Sequence, residues 1–156
     1  MKKLLCFTLT ALLAAALAVP AFADTAVNQD SSEKKASTTV EFKIDPTYTV
    51  TIPANTTVNF NAVDTSFGEI KLTAAQLDPG KSVKVALSAS GTLKNSIDNS
   101  KILAYQIQDG DAAFTSATYT TAGQSTALTI HIAQEAWNTA YAGNYADTVT
   151  FTISYQ

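Results

Sequence analysis

Few residues in this chain have the chemistry for a reaction. His131 is the only histidine. It sits between Ile130 and Ile132, so two-residue alternation puts it on the outward face of a strand. A zinc site needs several imidazoles or thiolates, and a serine–histidine–aspartate triad needs a histidine oriented by a buried acid. His131 therefore reads as a surface residue. Asp109-Gly110-Asp111 offers carboxylates, but Ala112-Ala113-Phe114 follow where a calcium loop needs further oxygens. Asp-Gly makes a hairpin turn by itself. Asp45 with Asp147, or Asp98 with Asp109, has the composition of a glycosidase acid pair, and nothing in the sequence sets the separation such a pair requires. No motif satisfies an active-site pattern. The expectation is a protein that is not an enzyme, with no catalytic residue, no metal and no cofactor.

Trp137, Tyr141 and Tyr145 form the one cluster suited to recognition. Trp137 is the sole tryptophan. Flat aromatics among polar neighbours stack on the apolar face of a sugar ring. The competing reading makes Trp137 a plug at one end of the core, since tryptophan is usually largely buried. Tyr145 also suits a structural role, its hydroxyl bonding to backbone at a sheet corner.

The elements that must position these residues are strands. Val40, Phe42 and Ile44 alternate with Thr39, Glu41 and Lys43; Tyr48, Val50 and Ile52 alternate with Thr47, Thr49 and Thr51. Such a period sends apolar side chains to one face and threonines to the other. Threonine is at ease there, being β-branched. Val58 and Phe60 make a short strand, and Asp64 to Gly68 a loop. Ile70, Leu72 and Ala74 follow, although Leu72 to Leu77 has a slight helical cast. Asp78-Pro79-Gly80 is a turn. Val83, Val85 and Leu87 make a strand, and residues 91–100 a polar loop. Leu103, Tyr105 and Ile107 make one strand; Phe114 and Tyr119 flank a weaker one. Leu128, Ile130 and Ile132 form another. Glu135 to Ala140 suits one helical turn. Val149, Phe151, Ile153 and Tyr155 close the chain.

The N-terminus sets the compartment. Lys2 and Lys3 precede an apolar run from Leu4 to Val19, Pro20 breaks it, and Ala21-Phe22-Ala23 has the form a signal peptidase reads. Residues 1–23 are therefore a secretory signal, too short for a stable membrane span. Cys6 leaves with it, and the mature chain has no cysteine for a disulfide or thiol site. The chain has no arginine. Of its 10 basic residues, all lysines, two leave with the signal; against 13 acidic residues the formal charge moves from -3 to -5. That disfavours nucleic acid and anionic lipid, which need concentrated positive charge. Residues 24–37 are a flexible polar leader, and 38–156 form one domain. About seven to nine strands separated by turns, with no βαβ rhythm, predict an all-β antiparallel sandwich; a closed barrel is the alternative.

The stretch Ala142-Gly143-Asn144-Tyr145-Ala146-Asp147-Thr148-Val149-Thr150-Phe151-Thr152-Ile153 resembles the ending of spore coat U-type and related pilin-like domains of bacteria. Tyr48 to Pro53, after Asp45-Pro46, is similar to the opening of small secreted sandwiches of Gram-positive bacteria. The resemblance implies an immunoglobulin-like β-sandwich that builds surface fibres. Gly143 would permit a tight turn and Tyr145 would anchor the corner. The disulfide usual in such pilin domains is one the mature chain cannot make. No LPxTG-like signal or hydrophobic tail follows the last strand, so the expectation is release or non-covalent attachment.

The expectation is thus an exported, non-enzymatic surface or matrix module that acts through protein contacts. Partner binding or self-association would use edge strands, with Thr38–Ile44 and Thr148–Tyr155 as contact segments. The alternative is a carbohydrate-binding module using Trp137, Tyr141 and Tyr145. A weak hydrolase is a third reading. Nucleic acid is not expected as a partner, nor membrane insertion once the signal is removed.

Overall fold

The computed structural model describes residues 25–156. The expected signal over residues 1–23 lies outside them. Contacts divide the chain after Lys43 into Met1–Lys43 and Ile44–Gln156.

Residues 28–34 are joined by local bonds. The Asn28 N–H donates to Ser31 Oγ at 3.0 Å. The Lys34 ammonium donates to the Asn28 carbonyl at 2.7 Å and to that of Gln29. The strand expected over Thr38–Ile44 is absent. Val40 is 91% and Phe42 85% exposed. Alternation supplies a face, but a strand also needs a paired strand beside it, and among the described residues no sheet includes this segment.

The second unit is all-β and antiparallel. Among the described residues its strands are β1 (Thr47–Thr51), β2 (Asp64–Gln76), β3 (Val83–Ser88), β4 (Thr92–Asn95), β5 (Ile102–Ala104) and β6 (Gln106–Asp109), then β7 (Ala112–Ala113), β8 (Ser116–Tyr119), β9 (Ser125–His131), β10 (Tyr145–Ala146) and β11 (Thr150–Tyr155). One short helix, α1 (Gln134–Asn138), lies where a helical turn is expected. The strand segments outnumber the expected set because two are only two residues long and expected single runs are interrupted.

One sheet has the order β1-β2-β9-β6-β7, the second β11-β3-β8 and the third β10-β4-β5. The last two continue one another. β3 and β11 pair up to Ser88↔Thr150, and β4 and β10 resume at Lys94↔Ala146, so residues 89–93 face residues 147–149. The sandwich is therefore one five-stranded sheet against a second layer broken across its middle.

The main core lies between the layers. Ile70, Leu72, Ile107 and Leu128 of the first sheet meet Val83, Val85 and Tyr119 of the second. Ile70, Leu72, Val83 and Val85 are fully buried. A smaller cluster of Leu103, Ile130 and Ile132 fills the end beneath β4, β5 and β10, with Trp137 and Tyr145 packed against it.

Several local expectations are corrected by the pairing. The loop expected at Asp64–Gly68 is the start of β2. Its polar residues face water, while Thr65 pairs with Ile130 of β9. A register shift between Ser66 and Gly68 is accommodated by Gly68 at φ +109°. The strand expected from Ile70, Leu72 and Ala74 does form and runs on to Gln76. A second shift, between Thr49 and Val50, turns Ala75 rather than Ala74 toward the core, as a bulge must when it adds a residue to one strand. Residues 91–100, expected as loop, contain β4. Leu103, Tyr105 and Ile107 do not share a strand: β5 belongs to the broken layer and β6 to the long sheet, and the chain crosses between them at Tyr105. Val58 and Phe60 form no strand, and Phe60 is 84% exposed. Pro53 lacks a backbone donor, and the chain leaves the sheet there.

Buried and exposed apolar residues predict opposite behaviour. Leu72→Ala should lower stability by about 2–5 kcal/mol in urea unfolding, because it empties a filled core site. Phe42→Ala should change it by less than about 0.5 kcal/mol.

Candidate functional site

The break in the second layer is pinned by one carboxylate. Asp147 Oδ2 accepts from the Tyr105 hydroxyl at 2.6 Å and from Ser90 Oγ at 2.8 Å. Ser90 Oγ in turn accepts the Thr92 N–H at 3.1 Å. The residue that leaves β10 is thus joined to the loop between β3 and β4 and to the crossover between β5 and β6. Partial burial opposes ionisation of Asp147. The bonds from Tyr105 and Ser90, with the Thr148 and Ser90 backbone groups, outweigh it, and the carboxyl titrates below its ordinary range. Tyr105 is shifted upward, first by burial and then by the Asp147 bond and charge.

The next turn is held by Asn95, which is 2% exposed. Its Nδ2 donates to the Ala142 carbonyl at 3.1 Å, and its Oδ1 accepts the Ile97 N–H at 2.8 Å. Gly143 lies against it at φ +141°. A Cβ there would come within 2.4 Å of Asn95 Nδ2, so this turn admits glycine for reasons of space as well as conformation.

The expected aromatic cluster gathers beside that turn. Trp137, on α1, is half-buried and donates its indole N–H to the Ala62 carbonyl at 2.9 Å. Tyr145 binds backbone, as expected: its hydroxyl donates to the Tyr141 carbonyl at 3.0 Å and accepts the Tyr141 N–H at 3.1 Å. Tyr141 is 61% exposed, with Lys101 Nζ 4.6 Å from its ring centroid. The three aromatics line a cavity of about 770 Å³ together with Phe60, Thr56 and Asn144. Phe60 meets Trp137 edge-on, with centroids 5.6 Å apart. Sequence reasoning placed Phe60 in a strand; its only signal as a site residue was an aromatic in a threonine- and asparagine-rich stretch. Asn95 was missed altogether, because an asparagine in a polar run carries no mark of burial.

A second cavity of about 450 Å³ adjoins the first, sharing Thr56, Val58, Leu93 and Asp147, and reaches Ile52, Val149 and Phe151. At the other end of this seam Tyr48 of β1 stacks on Tyr155 of β11, with centroids 6.1 Å apart. The Tyr155 hydroxyl donates to Asp78 Oδ2 at 2.9 Å. The long sheet and β11 are therefore tied at the tyrosines and splayed beyond them.

His131 lies at the end of β9, with Nδ1 2.7 Å from Asp64 Oδ1. This is a surface pair across two neighbouring strands. Asp109-Gly110 forms the β6–β7 hairpin. Among the described residues no group of three or more His, Cys, Asp or Glu residues could hold a metal ion, and no helix is long and apolar enough to cross a membrane.

No protein-family model matches the chain, and no curated protein gives a significant match. Its fold is similar to a chain in the solved structure described as "Chaperone-tip adhesin complex is vital for synergistic activation of CFA/I fimbriae biogenesis", at TM-score 0.46 and 13% identity. The match covers 69% of this chain and spans 42% of that one.

Two predictions follow from the turn and the carboxylate. Gly143→Ala should lower stability by about 2 kcal/mol or more, from clash and backbone strain together. The double variant with Asn95→Ala should lose less than the two single changes added, as measured by urea unfolding. For Asp147, a depressed native pKa means its stabilisation is whole above the unfolded value of about 3.9 and is lost as pH falls through the native value. The stability gap between the wild type and Asp147→Asn should therefore be widest near neutral pH and close as pH drops through that window.

Proposed function

We propose that this chain is an exported bacterial surface or matrix module, without enzymatic activity, that assembles through protein contacts of one kind: addition of a strand. The segment Thr38–Ile44 of one copy lies along the free edge of β11 in another. The observation that carries this reading is Ile153. It lies on the core-facing side of β11, opposite the fully buried Val85, yet it is 38% exposed. Among the described residues β11 pairs with β3 alone. Ile52 and Tyr48, across the seam, are also exposed at 47% and 39%. An apolar core face at an unpaired edge is what an added strand covers.

Thr38–Ile44 has the properties such a strand requires. Its period is two, and its apolar residues Val40 and Phe42 lie in water. Seven residues extend about 23 Å at the rise of a β-strand, which suffices for the six residues of β11. Burying a valine and a phenylalanine returns roughly 3–6 kcal/mol. Association costs about as much or more, so the backbone ladder must contribute as well. The secretory pattern of residues 1–23 supports the extracellular setting, because it routes the chain out of the cytosol.

Sedimentation velocity tests the reading. The mature chain should self-associate, and removal of residues 24–44 should leave a folded monomer. Ile153→Lys should also abolish association while circular dichroism remains β-type. A folded monomer both with and without residues 24–44 would sink the proposal.

A further inference from the structure

The cavity at Phe60, Trp137 and Tyr141 is separate in chemistry from the β11 seam. The seam is lined by Ile52, Val149 and Phe151; this cavity combines aromatic rings with Thr57 and Asn144. We propose that it binds a neutral saccharide, with Phe60 and Trp137 as the stacking surface.

Phe60 is the first ground. A phenylalanine left 84% exposed buries little surface for the fold, and it stands against the ring of Trp137 at the edge of an open cavity. The second is rigidity. The indole is held by Ala62, and the Tyr141 backbone is clamped twice by the Tyr145 hydroxyl. Walls fixed before binding lose little entropy when a ligand arrives.

The third ground is the chemistry of the lining. No lysine lines it, Lys101 standing against the Tyr141 ring, and the chain has no arginine, so a phosphate or carboxylate ligand would find no bidentate partner. The one carboxylate, Asp147, is engaged by Tyr105 and Ser90. A wholly apolar ligand would leave the threonines and Asn144 without use. A neutral sugar fits both halves: its C–H face stacks on an aromatic ring, and its hydroxyls exchange hydrogen bonds with threonine and asparagine. Lys101 already occupies one face of Tyr141, which makes Phe60 and Trp137 the principal stacking pair. Tyr145 acts behind them as a positioning residue.

Because Trp137 is the sole tryptophan, its emission reports directly on this cavity. The mature chain is titrated with cello-, chito-, laminari- and manno-oligosaccharides. At least one should give a saturable change in emission. Phe60→Ala should weaken binding by about tenfold, the loss expected of one stacked ring, with the thermal midpoint unmoved. Tyr141→Ala provides a second folded variant and should weaken binding by a smaller factor. Ile153→Lys should bind as the wild type does, which separates this site from the seam. Absence of a saturable response to all four probes would overturn the proposal, as would wild-type affinity in Phe60→Ala.

Discussion

The carboxylate of Asp147 is the point on which the rest of the molecule turns. The second layer changes from one sheet to another over a few residues, and backbone pairing lapses there. Groups freed from a ladder need other partners. Asp147 helps supply them by joining Ser90 and Tyr105. Tyr105 is also where the chain passes from the broken layer into the long sheet. One side chain thus holds three strand connections. Hydrogen bonds to an ionised acceptor are the stronger kind, which suits a junction with little apolar burial of its own.

The break has two consequences on the surface. Below it, β11 runs as an edge beside β1, tied to it by the Tyr48–Tyr155 stack, while the Tyr155 hydroxyl is held by Asp78 of the turn between β2 and β3. Above it, the chain folds back through the Gly143 turn and brings Tyr141 and Tyr145 to face Trp137. A continuous layer would have run past both places. The seam and the aromatic cavity are therefore products of one irregularity, and they share Asp147 in their lining.

Much of this was readable in the residues. Alternation located β3 and β9, whose inward residues Val83, Val85, Leu128 and Ile130 are buried as their spacing requires, and β11, whose inward Phe151 is only half-buried. Asp78-Pro79-Gly80 and Asp109-Gly110 are turns for reasons contained in the dipeptides themselves. The tie between Tyr145 and local backbone was legible for the same reason: it spans four residues. The misreadings share another cause. Thr38–Ile44 has the period of a strand, but among the described residues it joins no sheet. Asp64–Gly68 has the composition of a loop, but β9 supplies a partner for it. Composition describes one segment, whereas strand formation is a property of two.

The residues alone determined the all-β character, the turns and the faces, because periodicity and dihedral preference act within a few neighbouring positions. Only the tertiary structure decided which strands pair, where the second layer breaks, that Phe60 would line a cavity with Trp137, and that Asn95 would hold the turn beside it. Those outcomes depend on contacts between positions far apart in the chain, such as Ala62 with Trp137 or Asn95 with Ala142. No local pattern encodes such a contact, since its energy exists only once both segments are in place.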